Sequence, residues 1–166
     1  MVNSVGCLDF PSKGTIYLDN YDITRLTESQ LAQIRGKKIG FIFQQFNLIP
    51  NLTAKENVSL PMMFQGTPRE KRDKKAEELL TMMQLKERMH HKPTELSGGQ
   101  QQRVAIARSL ANDPELILAD EPTGNLDTNT GKIILEMLKA LHKDHNKTIV
   151  MVTHYDYLAR LADRTV

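Results

Sequence analysis

ELSGGQQQRVAIARSLANDPELILADEPTGNLD, residues 95–127, is the stretch on which the reading of the whole chain turns. Leu96-Ser97-Gly98-Gly99-Gln100 opens a helix-compatible run. Two adjacent glycines expected just before a helix leave backbone N–H groups free to approach an anion with no Cβ in the way. Leu116 to Ala119 is a short apolar run of strand length that ends in Asp120-Glu121-Pro122. Such a run reads as a buried strand delivering two carboxylates to its C-terminal end, which is where open α/β sheets place their ligands. Between these two signals, Val104, Ala107, Leu110 and Ala111 mark the buried stripe of a helix that Asn112-Asp113-Pro114 ends.

Composition narrows the class. The chain has 166 residues, 40% hydrophobic and 25% charged, which fits one ordinary globular core. Acids and bases nearly balance at a net charge of +2, so overall charge gives no support to nucleic-acid binding. One Cys allows no intrachain disulfide, and Cys7 reads as a small buried apolar residue. No run approaches the roughly 18 apolar residues of a membrane span, so a membrane enters only through a partner. Adjacent His90 and His91 lack carboxylate or Cys partners at ligand spacing and read as surface. The charge run from Arg69 to Lys75 reads as a solvated helix face.

Taken from the start, Pro11-Ser12-Lys13-Gly14 interrupts the first segment, and Thr15 to Asp19 alternates like an edge or antiparallel strand before a turn at Asp19-Asn20. Thr27 with Gln30 forms a capping-box pattern for a short helix, with Gly36 as its left-handed stop. Ile39 to Phe43 is an unbroken apolar core strand that hands over Gln44. Phe46 to Met63 carries apolar residues and two prolines with no single period, the pattern of an apolar surface offered to a partner or of irregular core packing in a helical subdomain. Thr67-Pro68-Arg69-Glu70 reads as a helix start, with Thr67 the cap and Pro68 the first helical residue. Ala76, Leu79, Leu80 and Met83 follow as its buried face, and Met82-Met83 read as core. Ile133, Ile134, Met137, Leu138 and Leu141 repeat the helical spacing, and Thr148 to Val152 is a β-branched run read as another buried strand. Helices alternating with unbroken strands favour a parallel sheet. His154 follows the last strand directly, close to Asp120-Glu121 if the strands are neighbours. Leu158, Leu161 and Ala162 suggest a final short helix.

The ordered set Gln44, LSGGQ from Leu96, Asp120-Glu121, Asp127 and His154 resembles the ATPase domain of ABC transporters. It is most similar to the lipoprotein-releasing and macrolide-exporting group, whose wording also resembles Cys7-Leu8-Asp9 and Gln44 to Val58. The resemblance covers essentially the whole chain. It implies an α/β fold: a P-loop NTPase-like parallel sheet core with an inserted helical subdomain. Residues 50–112 would be the helical signature subdomain, and residues 1–49 and 113–166 parts of the catalytic core. The 166 residues contain no Gly-x-x-x-x-Gly-Lys-Ser/Thr phosphate loop. Lys37 and Lys132 follow glycines but lack the rest of that pattern and read as surface lysines. The expectation is a fragment, incomplete at both ends, that starts just past the loop and by itself binds ATP weakly or not at all.

The resemblance also implies the roles of the site residues. Asp120 and Gln44 would hold Mg²⁺, Glu121 would orient or deprotonate the attacking water, Gln44 would reach that water, and His154 would contact the γ-phosphate. Ser97, Gly98, Gly99 and Gln100 would bind ATP held on a second ABC ATPase domain in a head-to-tail dimer, with Asp127 reaching across the same interface. Asn125, where many members have Ala or Ser, is a departure not expected to matter. The implied partners are that second domain and a membrane permease subunit, with no nucleic acid. The implied location is cytoplasmic, peripheral on the inner face of the plasma membrane. Two other readings stand beside this one: a non-transport ABC ATPase, and a catalytically inactive ABC-like interaction module.

Overall fold

The structure is a computed structural model that describes residues 2–8, 13–18 and 21–166. The expected break at Pro11-Ser12, the turn at Asp19-Asn20, and Asp9 lie outside the described residues. The first elements are a short helix α1 (Val2–Val5) and an antiparallel pair β1 (Tyr17–Leu18) and β2 (Tyr21–Asp22). Then come α2 (Glu28–Lys38), β3 (Ile39–Ile42), α3 (Ala54–Phe64), α4 (Arg69–Met82) and α5 (Gly98–Ser109). The chain continues through β4 (Leu116–Asp120), α6 (Thr128–His145), β5 (Thr148–Val152) and α7 (Asp156–Ala159).

β3, β4 and β5 form a three-stranded parallel sheet in that order, with Ala119 paired to Ile42 on one side and Met151 on the other. Parallel pairing puts the C-terminal ends of all three strands at one edge, so Gln44, Glu121 and His154 leave the sheet together. β4 is apolar without alternation because both of its faces are covered. Ile117 and Ala119 join the cluster built by α3, α4, α5 and α6, while Leu116 and Leu118 face Cys7, Ile23, Leu31 and Ile39. Each fully buried Ile or Leu here contributes about 1.5–3 kcal/mol. Gly40 on β3 lets α5 pass close by, since a Cβ there would lie 2.5 Å from the Ser109 carbonyl oxygen.

β5 is less buried than its β-branched composition predicts. Ile149 and Met151 pack on the core under α6, but Val150 and Val152 on the opposite face are each 41% exposed. On that face Gly6 lies over β3 and β4, where a Cβ on it would touch Phe41 and Leu118. Ile133 and Met82, expected in the core, are also exposed, each lying beside the buried stripe of its helix.

Several helix ends differ from the sequence reading. Gly36 lies inside α2, where the chain passes directly into β3 with no left-handed stop. In α4 the cap is Pro68, not Thr67: the first helical bond runs from Arg72 N–H to the Pro68 carbonyl, and the expected capping box is absent. Thr53 to Glu56, unread in the sequence, is a complete capping box that starts α3. α3 also contains Pro61, which removes one helical hydrogen bond. Burial of Ala54, Val58 and Met62 along the same helix outweighs that loss.

Candidate functional site

Gly98 and Gly99 are the first two residues of α5 rather than the turn before it. Ser97 is the N-cap: its hydroxyl accepts from Gln100 N–H at 3.3 Å, and the Gln100 side chain accepts from Ser97 N–H at 2.9 Å. The first N–H groups of a helix have no intrahelical acceptor, so the Gly98 and Gly99 amides remain for a ligand. The glycines are needed for packing as well. A Cβ on Gly99 would lie 2.4 Å from Thr130 Cγ2, in the first turn of α6.

That turn of α6 is capped by Asp127, whose carboxylate accepts from the Asn129 and Thr130 N–H groups at 3.1 Å each. Hydrogen bonds from the Thr130 side chain and then its backbone hold the Asp127 carboxyl below its ordinary value. Ser97, Gly98, Gly99, Gln100 and Asp127 therefore gather where two helices begin side by side.

The second cluster lies at the strand ends. Glu121 follows β4 with φ +44°, a left-handed conformation that is uncommon for glutamate. Its N–H donates to the Val152 carbonyl at 3.0 Å, extending the β4–β5 ladder by one bond. His154 Nδ1–H donates to Glu121 Oε1 at 2.7 Å, so the imidazole expected near the carboxylate touches it. The His154 side chain is 60% exposed and its ring leans on Tyr155, with centroids 4.1 Å apart. Gln44 arrives from the other side. A Cβ on Gly124 would lie 2.7 Å from Gln44 Nε2 and 3.2 Å from Glu121 Oε2, so the amide and the carboxylate both border that glycine. Asp120 ends β4 with its side chain exposed at the same edge. A carboxylate–imidazole pair beside a third polar side chain, open to water, can orient a water molecule and accept its proton.

Sequence reasoning misses three residues that matter at this site. Asn125 Nδ2 donates to the Gln44 carbonyl at 3.0 Å, so this position, read as indifferent, holds the Gln44 backbone. Arg108, on the last turn of α5, donates to the carbonyls of Phe46 and Asn47. Both of those residues have positive φ, 39° and 50°. Burial pushes the Arg108 guanidinium pKa down. Gln102, buried in α5, donates to the Pro122 carbonyl. One sequence carries no signal that pairs any of these with its distant carbonyl.

The profile of the ABC transporter family matches residues 5–124. An uncharacterized ABC transporter ATP-binding protein of Thermotoga maritima is 55% identical over 154 residues, covering 93% of this chain and 65% of that relative. The macrolide export ATP-binding/permease protein MacB of Campylobacter jejuni is 49% identical over 166 residues, covering all of this chain and 26% of MacB. Among solved structures, a dimeric post-hydrolysis state of the ATP-binding cassette MJ0796, bound to ADP and Pi, superposes with a TM-score of 0.85. It is 51% identical in sequence, and the match covers 98% of this chain and 72% of that one. MJ0796 comes from Methanocaldococcus jannaschii.

Proposed function

The chain belongs to the ABC transporter family of ATP-binding proteins, and from that premise we propose that it serves as the ATP-hydrolysing part of an exporter. The observation that carries this reading is the 2.7 Å contact between His154 and Glu121, with the Gln44 amide and the Glu121 carboxylate both bordering Gly124. Phosphoryl transfer to water depends mostly on positioning and charge stabilisation, and each of these residues meets one of those needs. Glu121 orients the attacking water and takes its proton. His154 fixes the Glu121 carboxylate through Nδ1, which leaves Nε2 for a γ-phosphate oxygen.

The exposed Asp120 carboxylate and the Gln44 side-chain oxygen suit a hydrated Mg²⁺, which takes few protein ligands. Bound there, Mg²⁺ would neutralise charge on the phosphates. Asp120 and Gln44 would hold it beside Glu121. Ser97, Gly98, Gly99, Gln100 and Asp127 face a second copy, where the helix-start amides meet the phosphates of that copy's nucleotide. The catalytic unit is then a head-to-tail dimer, a reading supported by the dimeric state of MJ0796.

In this assignment residues 50–112 are the helical signature subdomain, and residues 1–49 and 113–166 belong to the catalytic core. Among the described residues no helix is long and apolar enough to cross a membrane. The membrane is reached through a permease, as MacB carries its own in one chain. Exposed Met63 and Phe64, at the end of α3, offer that partner an apolar contact on the cytoplasmic side.

The decisive experiment is phosphate release by the protein expressed from its complete coding sequence, wild type against Glu121→Gln. The substitution keeps the shape and removes the base, so kcat should fall by about 10²–10⁴ with ATP binding retained. Equal turnover in both proteins would remove Glu121 from the role of base.

A further inference from the structure

α5 carries the Ser97–Gly99 turn at its start, and one turn further on Gln102 points inward and is fully buried. Its Nε2 donates to the Pro122 carbonyl at 2.6 Å, while its Oε1 is buried with no partner among the described residues. Pro122 follows Glu121, the residue held at φ +44°. Three bonds fix this turn. The Glu121 N–H is tied to Val152, and the Glu121 carbonyl accepts from Gly124 N–H, each at 3.0 Å. Those two are backbone bonds that survive most side-chain changes. The third, from Gln102, depends on one side chain.

A glutamine that satisfies only one of its two polar ends is a poor choice for packing alone. A methionine would fill a similar space and remove the unpaired side-chain oxygen, but it would leave the Pro122 carbonyl without its donor. What glutamine adds is a direction for the Pro122 carbonyl. We propose that Gln102 is a positioning residue for Glu121: by holding the Pro122 carbonyl it fixes the left-handed turn that aims the Glu121 carboxylate at His154. This rests on the reading of Glu121 as the group that activates water. On the same reading the Ser97–Gly99 turn meets the second copy's nucleotide, so Gln102 ties the turn serving one site to the base serving the other.

The test uses Gln102→Met and Gln102→Glu in the protein expressed from its complete coding sequence, with Glu121→Gln as reference. Gln102→Glu keeps the shape and, as the neutral acid that burial favours, can still donate to the Pro122 carbonyl, so it should stay closer to the wild type than Gln102→Met in both readouts. These are nitrogen-15 NMR of the Thr123 and Gly124 amides and the His154 ring without nucleotide, and ATPase kinetics. The expected result is a folded Gln102→Met with a modestly lowered melting temperature, because the Pro122 carbonyl loses its donor, and with the Thr123, Gly124 and His154 signals displaced. kcat should fall about tenfold and KM for ATP should stay within about twofold, because a positioning defect acts on the chemical step rather than on binding. A folded Gln102→Met with unmoved signals and wild-type kcat would overturn the proposal. So would a lower melting temperature with wild-type kcat, or failure of both variants to fold, since each marks a residue that serves stability alone. If the wild type itself lacks ATPase activity, the reading of Glu121 fails, while the NMR signals still decide whether Gln102 sets the turn.

Discussion

Gln44 and His154 come towards the Glu121 carboxylate from opposite edges of the sheet, yet they are held in different ways. Behind Gln44 the chain from residue 44 to 53 is gripped by side chains of three other segments. Asn125 takes the Gln44 carbonyl, Arg108 takes those of Phe46 and Asn47, and Asn57 takes those of Ile49, Leu52 and Thr53. His154 follows a half-exposed strand, and its polar side-chain contact among the described residues is the one to Glu121. An irregular loop keeps its shape when side chains satisfy its carbonyls, since no regular ladder does so. The Gln44 side of the site is therefore built as part of the core, and the His154 side is free to follow what binds.

Substitutions on the two sides should separate in size. The largest loss is expected at Asn57, which is fully buried and also accepts from Ile49 N–H at 2.8 Å. Asn57→Ala strands the Ile49 N–H and the Leu52 carbonyl and loosens the bonds at Ile49 and Thr53, and urea denaturation should show a loss of about 3 kcal/mol. Arg108→Met comes next. It keeps much of the apolar stem and strands the Phe46 and Asn47 carbonyls, for a loss of about 2 kcal/mol. Hydrogen exchange should also quicken across residues 45–48 in that variant. Unchanged exchange there would mean that the loop holds its shape without Arg108.

The same contrast explains what the sequence could tell. β3, β4 and β5 are legible because β-branched and apolar runs bounded by polar residues have a single economical reading, and their parallel order follows from the helices between them. The strand-end placement of Gln44, Glu121 and His154 follows from that order alone. The exposure of Val150 and Val152 is not legible, because composition reports what a strand prefers and not what lies over it. The grip on residues 44–53 is hidden for another reason. Arg108 and Phe46 are 62 residues apart, and a guanidinium bonding a backbone carbonyl leaves no trace in the identity of the residue that owns the carbonyl. α3 escapes the sequence reading although its Thr53–Glu56 box is in plain view, because Pro61 reads as a helix breaker; one lost bond near a helix end costs less than its buried face returns.

The smallest change in stability is expected at His154, and it tests the comparison most directly. The His154–Glu121 pair sits at the surface, with the imidazole mostly in water, where such a pair contributes little to folding. Truncating the ring also uncovers little apolar area, since its neighbour Tyr155 is itself exposed. His154→Asn should therefore move the urea midpoint by no more than about 0.5 kcal/mol in equivalent free energy, with the slope unchanged. A loss as large as that of Arg108→Met would show that the β5 end is anchored as firmly as the β3 end. It would also mean that Glu121 depends on His154 to keep its left-handed turn, a dependence that the backbone bonds to Val152 and Gly124, together with the bond from Gln102 to Pro122, should make unnecessary.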